Sequence, residues 1–444
     1  MKRAVPKLPF VLALVGASGF CVGEAAGQTV TSAPKRLSPV AVRQMTLEDL
    51  IQIGLERNPR LAQASFVIDR ARGRAVQSGL YPNPNVSVTG DELGDRQGPG
   101  GIWTAPYVSQ EIVTGGKLKL SKAAADRELD QATLALVSQR YALLTAIRQS
   151  YYEVLSLQRK LDILQELVKI SETSVEATRK LLEAKLPGVT RLDLLQLELE
   201  LERHRAEREA IQRELPAAFR RLAAVVGVSD LPFSTLAGSM EIGLPDYDLD
   251  NAREYLLQFH PQIQSAQLGV DRARLLLRRA QAEAIPNVTV GGGYVRQNQN
   301  KSDDWTIGVS VPLPVWNRNQ GNIRAAEAHI GEVLAAVGRI ENELVERLAA
   351  AFATYSSAHQ RADRYRTAIL PKARETFKLS IDSYKGGQFE YLRVLQAQRA
   401  LAEANLEYNR ALGDLWRGAS EIAGLLLEEG WPTPPPVVPA KPKP

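Results

Sequence analysis

Few side chains in this 444-residue sequence are of the types that do chemistry, and their spacing suits it poorly. Histidine occurs at His204, His260, His329 and His359 only. A zinc or copper centre needs three or four ligands converging on one point. His329 and His359 stand 30 residues apart, which is ~45 Å along a helix, so they cannot share an ion. His204 falls on an apolar helical stripe, where a packed or surface imidazole is the plain reading. The single cysteine, Cys21, excludes a disulfide scaffold and a cysteine-based zinc site. No G-x-S-x-G, H-E-x-x-H or Walker loop is present. Gly291-Gly292-Gly293 follows a strand start but opens no helix, so it does not cradle a phosphate. Asp69-Arg70-Ala71-Arg72 and Asp271-Arg272-Ala273-Arg274 place acid and base on one helix face, which predicts a local ion pair. The sequence therefore offers no catalytic, cofactor-binding or metal-ligating residues, and an enzyme is not expected.

The elements that hold these residues are easier to read. Hydrophobic residues make up 44% and charged residues 24%, so the chain is globular or helical. Lys2, Arg3 and Lys7 precede an apolar stretch, Leu8 to Phe20, and small residues at Ala25, Ala26 and Gly27. Residues 1–27 read as a secretion signal. Phe20 is the wrong residue type ahead of Cys21 for a lipoprotein signal. Without residues 1–27 the net charge falls from +5 to +3, and export argues against a nucleic-acid partner.

A duplication organises the rest. Residues 58–88 align with 260–290 at an offset of 202, without a gap, and ten of 31 positions are identical. Trp103-Thr104 matches Trp305-Thr306 at the same offset, and Leu192, Leu195, Gln196 and Leu201 match Leu392, Leu395, Gln396 and Leu401 at 200. The expected division is a first repeat over 28–228, a second over 229–428, and a proline-rich tail over 429–444. In each repeat two short helices lead into a pair of strands and then a helical hairpin. Residues 117–186 contain neither Gly nor Pro, which as one helix is ~105 Å long. Val154, Leu157, Leu161, Leu164, Val168, Ser171, Val175, Thr178 and Leu182 step by three and four, the mark of a coiled-coil seam. The hairpins are expected over about 117–226 and 322–427, with matching seams.

Between the helices the pattern alternates with period two. Trp305, Ile307, Val309, Val311 and Leu313 point one way, and Thr306, Gly308 and Ser310 the other. Strands are expected at about 85–93, 102–112, 287–297 and 304–313, with a bulge near Pro106. Their length suits a tilted membrane-crossing strand. Tyr81, Trp103, Tyr107, Tyr294, Trp305 and Trp316 sit near strand ends, as an aromatic girdle would. Four strands cannot close a barrel, and lipid tolerates no open edge, so a membrane location requires several copies sharing one barrel.

With that order of elements, the chain resembles the TolC-type outer-membrane efflux proteins. Val311-Pro312-Leu313-Pro314-Val315-Trp316-Asn317-Arg318-Asn319-Gln320-Gly321 is similar to a motif of the CzcC-like branch, which serves heavy-metal efflux. Tyr384-Lys385-Gly386-Gly387 and the following Tyr391 to Ala397 resemble the family's helix-turn signature. The resemblance implies a mainly α fold with a small β part. Two long antiparallel helical hairpins form an α-barrel tunnel, and four antiparallel strands contribute to a trimeric twelve-stranded outer-membrane β-barrel. It also implies a homotrimer in outer-membrane lipid, a periplasmic adaptor and an inner-membrane resistance-nodulation-division (RND) pump. The function implied is a passive duct for exported substrate, with heavy-metal cations the leading cargo. The same duct could serve drug efflux or protein secretion. A soluble periplasmic scaffold would account for the rods but leave the 305–313 strand unexplained.

Two sets of site residues follow. The hairpin ends, Lys185, Pro187, Gly188 and Thr190 in the first repeat and Lys385, Gly386, Gly387 and Gln388 in the second, are the expected adaptor-docking tips. Asp193, Arg393 and Gln396 lie just past the turns and are candidates for a gate at the tunnel mouth, where Asp193 and Arg393 could pair.

Overall fold

The computed structural model describes residues 44–94, 101–184, 189–229, 231, 235–243, 245–385 and 391–430. The expected signal segment, and the tail from 431, lie outside them.

The chain runs through one order of elements twice. The first pass is α1 (Leu47–Arg57), α2 (Pro59–Ser78), β1 (Asn85–Asp91), β2 (Ile102–Ile112), α3 (Lys117–Glu183) and α4 (Arg191–Val226). The second is α5 (Leu249–Phe259), α6 (Pro261–Ala282), β3 (Val288–Gln297), β4 (Ser302–Ser310), α7 (Gln320–Arg364), α8 (Leu370–Lys385) and α9 (Tyr391–Leu425). Between α7 and α8 lies a π-helical turn, Tyr365–Ile369. The hairpin expected over 322–427 is thus interrupted on its outgoing rod. Pro371 supplies the reason: it has no N–H to donate and its ring crowds the preceding turn, which a π-bulge relieves. α3, with 67 residues, is about 100 Å of continuous helix.

The helix starts follow from the sequence. Thr46 and Asp49 close a capping box on α1. Asn58 caps α2 ahead of Pro59, accepting from Arg60 N at 2.9 Å, and its amide donates to the Val225 and Val226 carbonyls at the end of α4. His260 is its counterpart on α6 and accepts from Gln262 N at 3.3 Å. The paired Asp-Arg segments form the local ion pairs expected of them, Arg72–Asp69 at 3.0 Å and Arg274–Asp271 at 3.6 Å. Glu128 of α3 then receives Arg74 from α2 and Arg272 from α6, at 2.7 and 3.0 Å, so both short helices are tied to one rod.

The main core lies at mid-length, where α3, α4, α7 and α9 meet α1, α5 and the linker between repeats. Trp416 stacks on Tyr152 at 4.1 Å and donates to the Met240 carbonyl at 2.9 Å. Tyr355 donates to Pro245 O, and Tyr151 to Ala237 O. These hydroxyl and indole groups hold the linker backbone against the rods. Buried Arg148 donates to the Glu428 and Glu429 carbonyls, and Tyr247 donates to the Glu428 carboxylate at 2.9 Å. Gly418 of α9 allows the backbones to meet, since a Cβ there would lie 2.8 Å from Tyr355 N.

The sheet is antiparallel in the order β1-β2-β3-β4. The expected bulge is present: the register of β2 shifts between Thr104 and Tyr107 against β3. Val86, Val108, Gly292 and Ile307 form one cross-strand row. On that face Trp305 is 81% and Ile307 86% exposed, with Val309 also exposed. An apolar face bared to this extent is the pattern of a lipid-facing strand. Tyr107 departs from the expected girdle. It lies on the opposite face, over Gly291, Gly293 and Gly308, where Cβ atoms would strike its ring or backbone. Gly291 and Gly293 of the three-glycine run, with Gly308 of β4, thus seat an aromatic ring. The outer edges of β1 and β4 have no strand partner among the described residues.

His260 gives the fold a testable pH dependence. Burial, reinforced by the Arg347 guanidinium, holds its imidazole down at about 4. In the unfolded chain it titrates at about 6.5. Between those values the unfolded state binds a proton that the folded state lacks, so stability rises with pH. Acidification across that window should remove up to ~3 kcal/mol through this group. His260→Asn, which installs the residue used at Asn58, keeps the cap and removes the titration. The denaturant midpoint of the wild type should therefore fall more steeply from pH 6.5 to 4.5 than that of the variant. Parallel profiles would contradict this assignment.

Candidate functional site

The two hairpins end far from the sheet. Thr190 is the N-cap of α4 and Asp193 its third residue, and the two form a capping box. The Asp193 carboxylate accepts from Thr190 N at 2.8 Å and Thr190 Oγ1 at 2.7 Å, while Asp193 N donates back to Thr190 Oγ1 at 3.3 Å. The Asp193 side chain therefore already serves to start a helix. Arg393 and Gln396 are exposed on the first turns of α9. Lys185, Pro187, Gly188, Gly386, Gly387 and Gln388 lie outside the described residues, and Lys385 is described only as the last residue of α8.

Just inside the ends, the expected seams are in place. Val168, Val175, Leu197, Leu201, Val394 and Leu395 form a buried apolar cluster across α3, α4 and α9. Interrupting it is a polar layer that sequence reasoning missed. Ser171 of α3 contacts His204 Nδ1 of α4 at 3.0 Å and accepts from Gln398 Nε2 of α9 at 3.1 Å. Buried Glu200 of α4 binds Arg203 on its own helix and Arg399 on α9. Burial holds the His204 imidazole below its usual range, with Glu200 and Glu207 pulling the other way and Arg399 adding to the depression. A polar layer in an apolar seam sets which residues face each other across the helices. Here it joins the first hairpin to the second. The only sequence signal was Ser171 and His204 standing at seam positions; nothing pointed to Glu200 or Arg399.

A second feature was also missed. Leu192, Leu195 and Leu199 are exposed on α4, on the side away from its buried Leu197 and Leu201. Near the end of the hairpin, α4 is apolar on two faces, so one face is left for another helix. Among the described residues, no group of three His, Cys, Asp or Glu side chains could hold a metal ion. No described helix is long and apolar enough to cross a membrane. Among the described residues, the arrangement builds and joins walls and brings together no group of metal ligands.

Truncating the cross-hairpin carboxylate tests the polar layer. Glu200→Ala leaves Arg399 without its buried partner and should lower local stability by about 1–3 kcal/mol. The hairpin ends should then be nicked several-fold faster by protease, with the sheet still embedded. Unchanged nicking would mean that the apolar seam alone sets the register.

The pattern of the outer membrane efflux protein family matches residues 50–228 and again 253–426. The cobalt-zinc-cadmium resistance protein CzcC of Cupriavidus metallidurans is 28% identical over 397 residues, covering 87% of this chain and 91% of that protein. The outer membrane protein OprJ of Pseudomonas aeruginosa is 24% identical over 424 residues, covering 86% of each. Of solved structures, CusC superposes with a TM-score of 0.74 at 20% identity, over 88% of this chain and 95% of that one, which speaks to the fold. With both halves matched and the fold shared along nearly the whole length, the chain belongs to the outer membrane efflux protein family, non-enzymatic ducts with a sheet in the outer membrane and helical hairpins in the periplasm.

Proposed function

We propose that three copies of this chain form the outer-membrane duct of a tripartite efflux system, fed by a periplasmic adaptor and an inner-membrane RND pump, and that its cargo is heavy-metal cations. The observation that carries this reading is the pairing of a four-stranded, lipid-faced, unclosed sheet with helical rods about 100 Å long. The rods supply a wall in the periplasm and the sheet supplies a third of a barrel. The similarity to CzcC supports the choice of cargo. Among the described residues no cluster of metal ligands is present, and in this reading selection belongs to the pump.

The hairpin ends are the docking surface in this reading, and Asp193, Arg393 and Gln396 line the mouth. Gly386-Gly387, which the sequence places between α8 and α9, belong to that docking surface in this reading, since glycine is the residue type used where a side chain is not tolerated. Cells lacking the chain should accumulate cobalt, zinc or cadmium, and the wild-type gene should restore export. Gly387→Val should leave the protein in the outer membrane yet reduce cation export several-fold. Full export by that variant would overturn docking at the tips. Normal cation tolerance in the deletion strain, with sensitivity to organic solutes instead, would assign the duct to drug efflux.

A further inference from the structure

Beyond α9 the chain is pinned where it leaves the mid-length core. Arg148 Nη2 donates to the Glu428 and Glu429 carbonyls at 2.8 and 3.0 Å. Tyr247 donates to the Glu428 carboxylate at 2.9 Å, and Tyr141 and Arg140 both reach the Glu429 carboxylate at 3.2 Å. The next residue, Gly430, is thereby given a set place, and it lines a groove of about 450 Å³ along α1. Leu47, Ile51 and Leu55, each about one turn from the next, form the apolar floor of that groove, and the exposed Glu48 and Glu56 form its rim.

The second half does not repeat this floor. α5 is the copy of α1, and at the offset of 202 Arg253 stands where α1 has Ile51. Arg253 is exposed and Ile51 half-buried. The α5 face is polar and suited to water, whereas the α1 face gains from a cover. The sequence that follows Gly430 has the composition to supply one. Residues 431–444 begin with Trp431 and contain seven prolines and no acid; their charges are Lys441 and Lys443. Proline's fixed φ favours the extended polyproline form, and a residue that precedes proline, as Trp431 and Thr433 do, is biased the same way. Six residues in that form span ~19 Å. α1, with 11 residues, is ~16 Å long.

We propose that the α1 groove is the docking site for the segment Trp431 to Pro436 of the same chain, with the Trp431 ring over Ile51 and Leu55. Trp431 follows directly on a residue that already lines the groove, so its ring reaches the floor with no loop to close. A tryptophan buries about 150–250 Å² of surface, and its indole N–H has the Glu48 and Glu56 carboxylates to donate to. The prolines after it add apolar contact at little cost in entropy, because they are extended beforehand. With no acid in the segment, nothing in it opposes the carboxylate rim. The docked segment joins the end of the second repeat to the first helix of the first. This contact lies within one chain and does not depend on the proposed ring of three.

Cysteine labelling of the protein in membranes tests the docking. Gln52→Cys places a thiol on the exposed side of α1, within the groove. A bulky maleimide should modify it at least tenfold more slowly in the full chain than in a chain lacking residues 431–444. The wild type reports any labelling at Cys21. Trp431→Ala in the full chain keeps every contact of Glu428 and Glu429 and should raise the rate at Gln52→Cys at least threefold. Sedimentation in detergent shows whether each variant assembles as the wild type does; if the shortened chain does not, the comparison with Trp431→Ala decides in the same way. Equally fast labelling with and without the segment would mean that the groove stands open. Equally slow labelling would mean that another occupant, residues before 44 or a neighbouring chain, covers it. Either result overturns the proposal.

Discussion

A backbone in lipid cannot leave its N–H and C=O groups unpaired, and this chain supplies a sheet with two open edges. Everything else in the molecule is compatible with that constraint. The outward face is apolar because it meets hydrocarbon. The inward face carries Thr306, Gly308 and Ser310, with Tyr107 over glycines. A strand built this way is stable only when a neighbour continues the sheet. The helices have the same incompleteness: α2 rests on α3 on one side and bares Phe66 and Val76 elsewhere.

The rods need a different kind of support. A helix about 100 Å long has no globular core of its own, and the seam along it is narrow. The chain concentrates its bulky side chains at mid-length, where Trp416, Tyr152, Tyr355 and Tyr247 clamp the linker and the end of α9. Toward the ends, packing thins to one seam, and polar contacts between Glu200 and Arg399 and around Ser171 take over the task of fixing register. A stiff middle with thinner ends suits a duct that is anchored in the membrane and engaged at its far end.

Much of this was legible in the sequence, because helical seams and alternating strands leave periodic traces. Val154, Leu164, Val168 and Val175 were placed on a buried seam by spacing alone, and they are buried. Trp305 and Ile307 were placed on one face, and they share it. What was not legible depends on neighbours from distant parts of the chain. Tyr107 falls on the inner face because of the bulge before it, and its seat is three glycines on other strands. The ion pair from Glu200 to Arg399 joins residues 199 positions apart with no local signature. Asp193 was marked for a gate by its place past the turn, and its carboxylate is occupied in a capping box.

Amide hydrogen exchange on the assembled protein in detergent or lipid tests the central constraint most directly. If no edge is left open, the amides of β1, Asn85–Asp91, and β4, Ser302–Ser310, should be protected to the same degree as those of the inner strands β2 and β3. Rapid exchange along the outer sides of β1 and β4, with β2 and β3 still protected, would mean that the sheet ends in open edges, and the account of a shared barrel would be wrong.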